Sequence, residues 1–424
     1  MNIVMMTNTY IPYVGGVATS VKSSVDALRS QGHRVLVVAP DYDEAKEDEH
    51  NVVRVAAIQH FNGSDFAVAL PVSPDLSAIL DDFRPDILHS HYPFLIGDLG
   101  LRVAASRHLP LVFTHHTRYE DCTEYVPLQF EGIKRFVVEL TTGYANLCHR
   151  VIAPGLSIAA LLEERGVETP INVVPTGVKL EKFSSGDRDR ARGQHGIPAD
   201  AFVVGYVGRL APEKNLKFLG RSVQRFLKLE ENSYFLVVGE GPSADELQDI
   251  FDADVSSKVI FAGTLKNQDL IDVYAAFDVF AFASRSETQG VVLAEALAAG
   301  CPVVALNAPG VRQIVAQRAN GMLVDEESPE IFSNALRWVA GLTSDETAQM
   351  RRRARHSAEP YSLEEFVNQL LEVYGMTMDD NPGLVNLTGR DWEGLLKVMD
   401  REWRLWVNRL RAVARAATPR SFDE

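Results

Sequence analysis

The sequence predicts two parallel α/β domains in tandem, and three observations carry that expectation. The chain of 424 residues exceeds the size at which a single hydrophobic core stops growing. Short, nearly continuous apolar runs alternate with helix-like segments along most of it, as in strands buried on both faces. That rhythm is interrupted once, at 179–200, by a stretch rich in charge, Ser and Gly with few large apolar residues.

In the first series the expected strands are Asn2 to Met6, Arg34 to Ala39, Asp86 to His89, Leu111 to Thr114, Arg150 to Ala153 and Ile171 to Val174, making a domain over 1–178. The polar stretch 179–200 reads as a linker. The second series, 201–360, offers Phe202 to Val207, Tyr234 to Val238, Lys258 to Phe261, Val279 to Phe282 and Pro302 to Ala305. One more helix, 361–378, is expected to cross back to the first domain, and 379–424 is a separate extension. In such folds ligands bind beyond the carboxyl ends of the strands, so a cleft between two facing domains is the expected site.

Composition narrows the class. Hydrophobic residues make up 46% and charged residues 23%, the profile of an ordinary enzyme rather than a low-complexity chain. A balance of 42 basic to 57 acidic residues argues against a nucleic-acid partner held by a basic surface. Cys122, Cys148 and Cys301 share no metal-ligand spacing and are odd in number, which fits thiols in a reducing, cytoplasmic compartment. Met1 to Thr7 lacks the basic start and h-region of a signal peptide, and no apolar run is long enough to span a bilayer.

The most informative motif is Ser284 to Pro302, S-R-S-E-T-Q-G-V-V-L-A-E-A-L-A-A-G-C-P. Gly290 opens an apolar, helix-forming run that Gly300 and Pro302 close. A glycine at the mouth of a helix N-terminus suits a phosphate, because unpaired amides and the helix dipole both favour negative charge there. Glu287 flanks that site and Glu295 stands two turns inside the helix. Carboxylates repel phosphate and accept from hydroxyls, so the pair points to a sugar joined to a diphosphate.

Four further motifs sit at strand ends. Gly15-Gly16-Val17 lets backbone pass close to a ligand, or simply makes a tight turn. Gly208-Arg209-Leu210 with Glu213-Lys214-Asn215 puts two cations on one loop, fit to neutralise a leaving diphosphate or to face solvent. Val238-Gly239-Glu240-Gly241-Pro242 wraps a base or ribose, or merely joins strand to helix. Thr114-His115-His116-Thr117-Arg118-Tyr119-Glu120 holds two histidines whose side chains point to opposite faces, so at most one meets the ligand. No carboxylate or Cys at ligand spacing supports a metal there.

These motifs, in this order and spacing, resemble those of the family 4 glycosyltransferases, retaining enzymes of GT-B fold, over roughly Met1 to Tyr374. The resemblance implies two Rossmann-like domains facing across a cleft, with no metal and no cofactor beyond a nucleotide-sugar donor. It assigns Arg209 and Lys214 to the diphosphate, Glu295 to the ribose and Glu287 to a hydroxyl of the transferred sugar. The amides of Gly290, Val291 and Val292 complete the phosphate site, and Gly16, Val17, Gly239 and Gly241 join the donor contacts. His116 contacts the sugar near the reacting carbon, with His115 as the fallback. The implied catalytic set is His116, Arg209, Lys214 and Glu287.

Within the family, His89-Ser90-His91-Tyr92-Pro93-Phe94 and the His115 to Glu120 segment look most like bacterial diacylglycerol glucosyltransferases. That implies UDP-glucose as donor, with GDP-mannose as the alternative, and a lipid acceptor touching His115, Arg118, Tyr119 and Glu120. Residues 1–178 carry 13 Lys and Arg against 21 Asp and Glu, which does not suit an anionic membrane. The extension does: Trp392, Leu396, Met399, Trp403, Trp406, Leu410 and Val413 form one apolar stripe at helical spacing. Arg404, Arg409, Arg411, Arg415 and Arg420 follow with no acid between Glu402 and Asp423. The expected location is therefore peripheral, on the cytoplasmic face of a membrane through 390–420; packing on the protein's own surface or on a second subunit is the alternative. Transfer to a soluble sugar or glycan is the competing reaction, and a non-catalytic nucleotide-sugar-binding protein the competing class.

Overall fold

The computed structural model describes residues 1–13, 15–42, 50–58, 68–69, 75–120, 132–285, 287–381, 401, 404–405, 407–409 and 411–413. The chain divides into two units: Met1–Gly177 with Glu364–Glu424, and Val178–Leu363.

The first unit runs β1 (Asn2–Met6), α1 (Gly16–Ser30), β2 (Arg34–Pro40), β3 (Val52–Val55), β4 (Ala57–Ile58), β5 (Val68–Ala69), α2 (Leu76–Phe83), β6 (Ile87–Ser90), α3 (Ile96–Arg107), β7 (Leu111–Thr114), α4 (Ile133–Ala145), β8 (Arg150–Ala153), α5 (Leu156–Glu164) and β9 (Ile171–Val173). Seven strands form one sheet in the order β3-β2-β1-β6-β7-β8-β9, every neighbouring pair parallel. The order reverses direction between β1 and β6, the switch point where doubly wound sheets place their ligands. Runs such as Val35 to Ala39 are buried on both faces because helices cover both sides of the sheet. Helix α1 docks through Val21, Val25 and Leu28, spaced four and three apart, and ends beside Gly32 at φ 86°.

The second unit runs α6 (Leu180–Ser184), α7 (Arg188–Gln194), β10 (Phe202–Val207), α8 (Leu216–Leu229), β11 (Ser233–Val238), α9 (Ala244–Gln248), β12 (Val259–Phe261), α10 (Asn267–Ala276), β13 (Val279–Phe282), α11 (Val291–Ala298), β14 (Val303–Leu306), β15 (Gly321–Val324), α12 (Pro329–Ala340) and α13 (Ser344–Ala358). Its six-stranded parallel sheet has the order β12-β11-β10-β13-β14-β15, with the reversal between β10 and β13. Two doubly wound sheets with helices on both faces are therefore present, as the apolar runs predict. The strands not foreseen are the short antiparallel pair β4–β5 and the outermost β3 and β15.

The stretch 179–200 is not a linker. It carries α6 and α7 and lies inside the second unit, with Phe183, Ala191 and Ile197 in its core. The charges that made it look solvated are used internally. Arg192, 2% exposed, donates to the carbonyls of Ala201 and Ala276 and pairs with Asp278 at 2.7 Å. Arg188 and Arg351 reach the same carboxylate, and Arg190 pairs with the buried Asp272. Composition alone cannot tell such a buried network from a wet linker.

The chain leaves and re-enters the first unit at one place. Val178 donates its N–H to the Tyr361 carbonyl at 2.8 Å, and Leu363 donates to the Val178 carbonyl at 2.9 Å. Helix α14 (Leu363–Asp379) then brings Val367, Leu370, Val373 and Tyr374 into buried positions.

The extension docks on the first unit through its described residues. Positions 401, 404–405, 407–409 and 411–413 are helical. Leu405 joins the core at 3% exposure, Arg401 and Asn408 donate to the carbonyls of Leu147 and Leu140, and Arg409 pairs with Asp98. Arg409, expected to face a membrane, is thus turned to a carboxylate of the same chain. Of the predicted apolar stripe, Val413 is 56% exposed. Trp392, Leu396, Met399, Trp403, Trp406 and Leu410 lie outside the described residues, as do Arg415 and Arg420.

Candidate functional site

In the second unit the predicted donor residues converge. Strand β10 ends in Gly208 at φ 155° and strand β11 in Gly239 and Gly241 at φ 131° and 154°, conformations that favour glycine. The two turns interlock: a Cβ on Gly239 would stand 2.0 Å from the Gly208 carbonyl oxygen, and one on Gly241 2.3 Å from that of Leu210. Amides stitch them together, Gly208 donating to Val238 and Leu210 to Glu240. Arg209 is held exposed at the head of this paired turn, its carbonyl accepting from the Tyr206 hydroxyl at 3.2 Å.

Lys214 lies on a short 3-10 turn, Pro212–Lys214, and its ammonium donates to Glu287 Oε1 at 2.5 Å. The carboxylate and the cation assigned to a sugar hydroxyl and a diphosphate are thus partners in this structure. Glu287 is fixed from behind, because a Cβ on Gly310 would come 2.5 Å from its carbonyl oxygen. Three residues on, Gly290 caps α11 at φ 74°. The first amides of α11, Val291 and Val292, have no carbonyl a turn behind them within the helix. Helix amides, an ammonium and a guanidinium are the groups that neutralise a diphosphate.

Glu295 sits deeper in the same helix and accepts from the Tyr274 hydroxyl at 2.6 Å. Burial pushes its carboxyl up to about 7, against the pull of Tyr274 and Lys182. Tyr274, on α10, carried no signal in the sequence.

The first unit holds a different cluster. His116 follows β7, and its Nε2 is 2.9 Å from His91 Nδ1, so one ring donates and the other accepts. His89 packs against His91 with ring centres 4.1 Å apart and planes tilted by 35°. Its Nδ1 meets the Tyr374 hydroxyl and its Nε2 the Thr114 hydroxyl, both at 2.7 Å. Burial holds the imidazoles of His89 and His116 down to about 3, and that of His91 well below its ordinary value. All three are neutral near pH 7. His89 and His91 lie two apart at the end of β6, on one face of the strand, and that spacing was the available signal for them.

Two expected acceptor contacts are corrected. His115 is 1% exposed, wedged edge-on against Phe113 and Tyr119, with neither ring nitrogen hydrogen-bonded. Glu120 is 7% exposed and bonded to Arg165 at 2.6 Å and Arg118 at 3.2 Å. Both point into the protein, so the fallback histidine and the acid are supports rather than contacts. Of the remaining predicted residues, Arg118 and Tyr119 are partly exposed, as is Val17. Gly16 is the exposed first residue of α1, with nothing within 4 Å of where its Cβ would be. Among the described residues no group of three or more His, Cys, Asp or Glu side chains is placed to hold a metal ion.

Residues 14–182 match the family described as Glycosyltransferase Family 4 and residues 187–357 that described as Glycosyl transferases group 1. The chain is 28% identical to the α-monoglucosyldiacylglycerol synthase of Acholeplasma laidlawii, covering 91% of this chain and 100% of that one. It is 27% identical to a GDP-mannose-dependent α-mannosyltransferase of Corynebacterium glutamicum, over 88% of each. With the D-inositol 3-phosphate glycosyltransferase of Saccharomonospora viridis it shares 31% identity over 69% of this chain and 70% of that one. In fold it is similar to the solved structure of Anabaena Alr3699/HepE in complex with UDP, a GT-B protein, at a TM-score of 0.70 and 20% identity over 89% and 100% of the chains. The chain belongs to the family 4 glycosyltransferases and is itself a glycosyltransferase of GT-B fold.

Proposed function

We propose that the protein is a retaining glycosyltransferase that moves glucose from UDP-glucose to a lipid acceptor such as diacylglycerol. The observation that carries the donor half is the convergence of Arg209, Lys214, Glu287, the Gly290-headed start of α11 and Glu295 in one unit. Cleavage at the anomeric carbon leaves a diphosphate anion. Arg209, Lys214 and the first amides of α11 stabilise that charge as it develops, already oriented before the bond breaks. Diphosphate takes Lys214 from Glu287, and Glu287 then accepts from a hydroxyl of the transferred sugar. Glu295 accepts from the ribose, and Gly16, Val17, Gly239 and Gly241 give the donor close backbone contact. His116, neutral and oriented by His91, binds the sugar near the reacting carbon. Retention follows front-side attack, in which the leaving phosphate takes the acceptor's proton.

The glucolipid reading of the acceptor is supported by the name of the Acholeplasma relative and by the apolar stripe of the extension with its arginines other than Arg409. The relative that acts on D-inositol 3-phosphate favours a second reading, transfer to a soluble acceptor. No helix among the described residues is long and apolar enough to cross a membrane. We place the protein peripherally on the cytoplasmic face, held through 390–420.

The test is product formation by purified protein from UDP-glucose or GDP-mannose, with diacylglycerol in mixed micelles or a panel of soluble sugars and sugar phosphates. A glucolipid is the expected product. Transfer to soluble acceptors alone leaves the donor site in place and removes the lipid, and a mannosylated product replaces the donor. Vesicle flotation of the full chain against a chain ending at 389 reads the membrane contact, with loss of flotation expected for the shorter one.

A further inference from the structure

The first unit contains a cavity of ≈ 360 Å³ lined by residues of the segment after His91, of α3 and α4, and of the docked extension. Its walls are mainly Phe94, Leu95, Leu140, Tyr144 and Leu405. The polar groups on its lining are already engaged. Tyr144 donates to the Gly97 carbonyl, Asn408 to the Leu140 carbonyl, and Arg409 pairs with Asp98. A polar ligand entering there would exchange hydration for groups that already have partners, whereas a hydrocarbon gives up only water contact. The volume falls in the range of small-molecule sites.

Ring contacts lead from the cavity wall to His115, the neighbour of His116 in sequence. Phe94 packs edge-on against Tyr119 with centres 5.1 Å apart, and Tyr119 in turn against His115 at 5.7 Å. Phe94 lies only three residues after His91, which meets His116. Leu95, on the wall, holds φ 50° and ψ −78°, a strained conformation for a branched residue and of the kind that marks ligand sites. Leu405, Asn408 and Arg409 lie beyond the family matches at 14–182 and 187–357, so the extension adds a wall that those matches do not include.

We infer that this cavity binds one hydrocarbon chain of the lipid acceptor and that the docked extension thereby sets acceptor chain-length preference, an inference that rests on the lipid reading above. Leu140 is the position to probe, since it lines the cavity and is only partly buried. Equilibrium binding of dioctanoylglycerol to the full chain, below its aggregation concentration and without donor, is compared for the parent, Leu140→Trp and Leu140→Ala. Leu140→Trp fills the space and weakens binding at least tenfold, while UDP affinity and the thermal midpoint stay at the parent's values. Leu140→Ala enlarges it and moves the preferred acyl length upward across a series of diacylglycerols, which keeps a readout if the Trp variant fails to fold. Parent protein that does not bind dioctanoylglycerol, or two variants that bind it with the parent's affinity and length preference, overturns the inference. Turnover is scored separately. Glucolipid made at equal rates and lengths by all three proteins removes the cavity and keeps the reaction; chain-length-dependent binding with transfer only to soluble sugars keeps the cavity and removes the reaction.

Discussion

The two units solve recognition with opposite chemistry. The second presents charge, an exposed guanidinium, an ammonium paired with a carboxylate, and helix amides. The first presents neutral rings, the buried His89 and His91 and the partly exposed His116, bonded to one another or to hydroxyls. A diphosphate needs compensating charge that is in place before the bond breaks. A sugar or lipid hydroxyl needs only oriented dipoles, and a buried cation near it would add a desolvation cost. The contrast shows in the Lys214–Glu287 ion pair at one site, which has no counterpart among the described bonds of the histidine network at the other.

The sharpest way to break this contrast is to remove charge from the second unit. Lys214→Ala is expected to lower kcat/KM by about 10²–10³-fold, the loss typical of one preorganised donor, with an unchanged thermal midpoint. Activity within a factor of three of the parent would place the diphosphate elsewhere.

Acid should act on the first unit. His89 and His116 are held down to about 3 when folded and titrate at the ordinary 6.5 when unfolded, so the unfolded chain binds more protons between those values and stability falls as pH drops. From pH 6.5 to 5 the loss is about 2 kcal/mol for a fully buried imidazole. Hydrogen exchange at β6 and β7 should accelerate over that window more than at β10 and β11. Equal acceleration in both sheets would contradict the assignment of neutral rings.

Tyr374→Phe tests the support of His89. It leaves a buried ring nitrogen without its 2.7 Å partner and should cost about 1–3 kcal/mol in denaturant unfolding. A loss under about 0.3 kcal/mol would mean that the bond contributes nothing net.

The smallest effect is expected at Glu295, whose sign is opposite to that of the histidines. Its folded carboxyl is raised from 4.5 to about 7, so it favours the folded state below pH 4.5 and that stabilisation is lost as pH rises through 7. As the ionised form accepts better from a ribose, uridine affinity should rise by less than tenfold from pH 6 to 8. Glu295→Gln should flatten that rise, and an unchanged slope in the variant would show that Glu295 does not touch the ribose.

The same contrast explains what could be read from sequence. The donor motifs are local: glycines, two cations and two acids each stand in a recognisable stretch at a strand end. The central strands were equally plain, since runs such as Val35 to Ala39 are buried on both sides of a covered sheet. The histidine network is non-local, its Tyr374 arriving 285 positions after His89. His115 and Glu120 were misjudged because polarity at a strand end looks the same whether it faces ligand or core. The charges of 179–200 misled in the same way, since Asp272 and Asp278, their partners, lie on other elements.

The route of the chain through its two units has a consequence for synthesis. A ribosome releases 1–177 first, then the whole of the second unit, and only afterwards α14 and the extension that belong to the first. The nucleotide unit is continuous in sequence and can close as soon as it emerges, whereas the histidine unit must wait for Tyr374 and Leu405 to be translated. The domain begun first is finished last. During that interval the first unit lacks Tyr374 and Leu405, and a chain stopped after 363 would carry a complete second unit and an incomplete first.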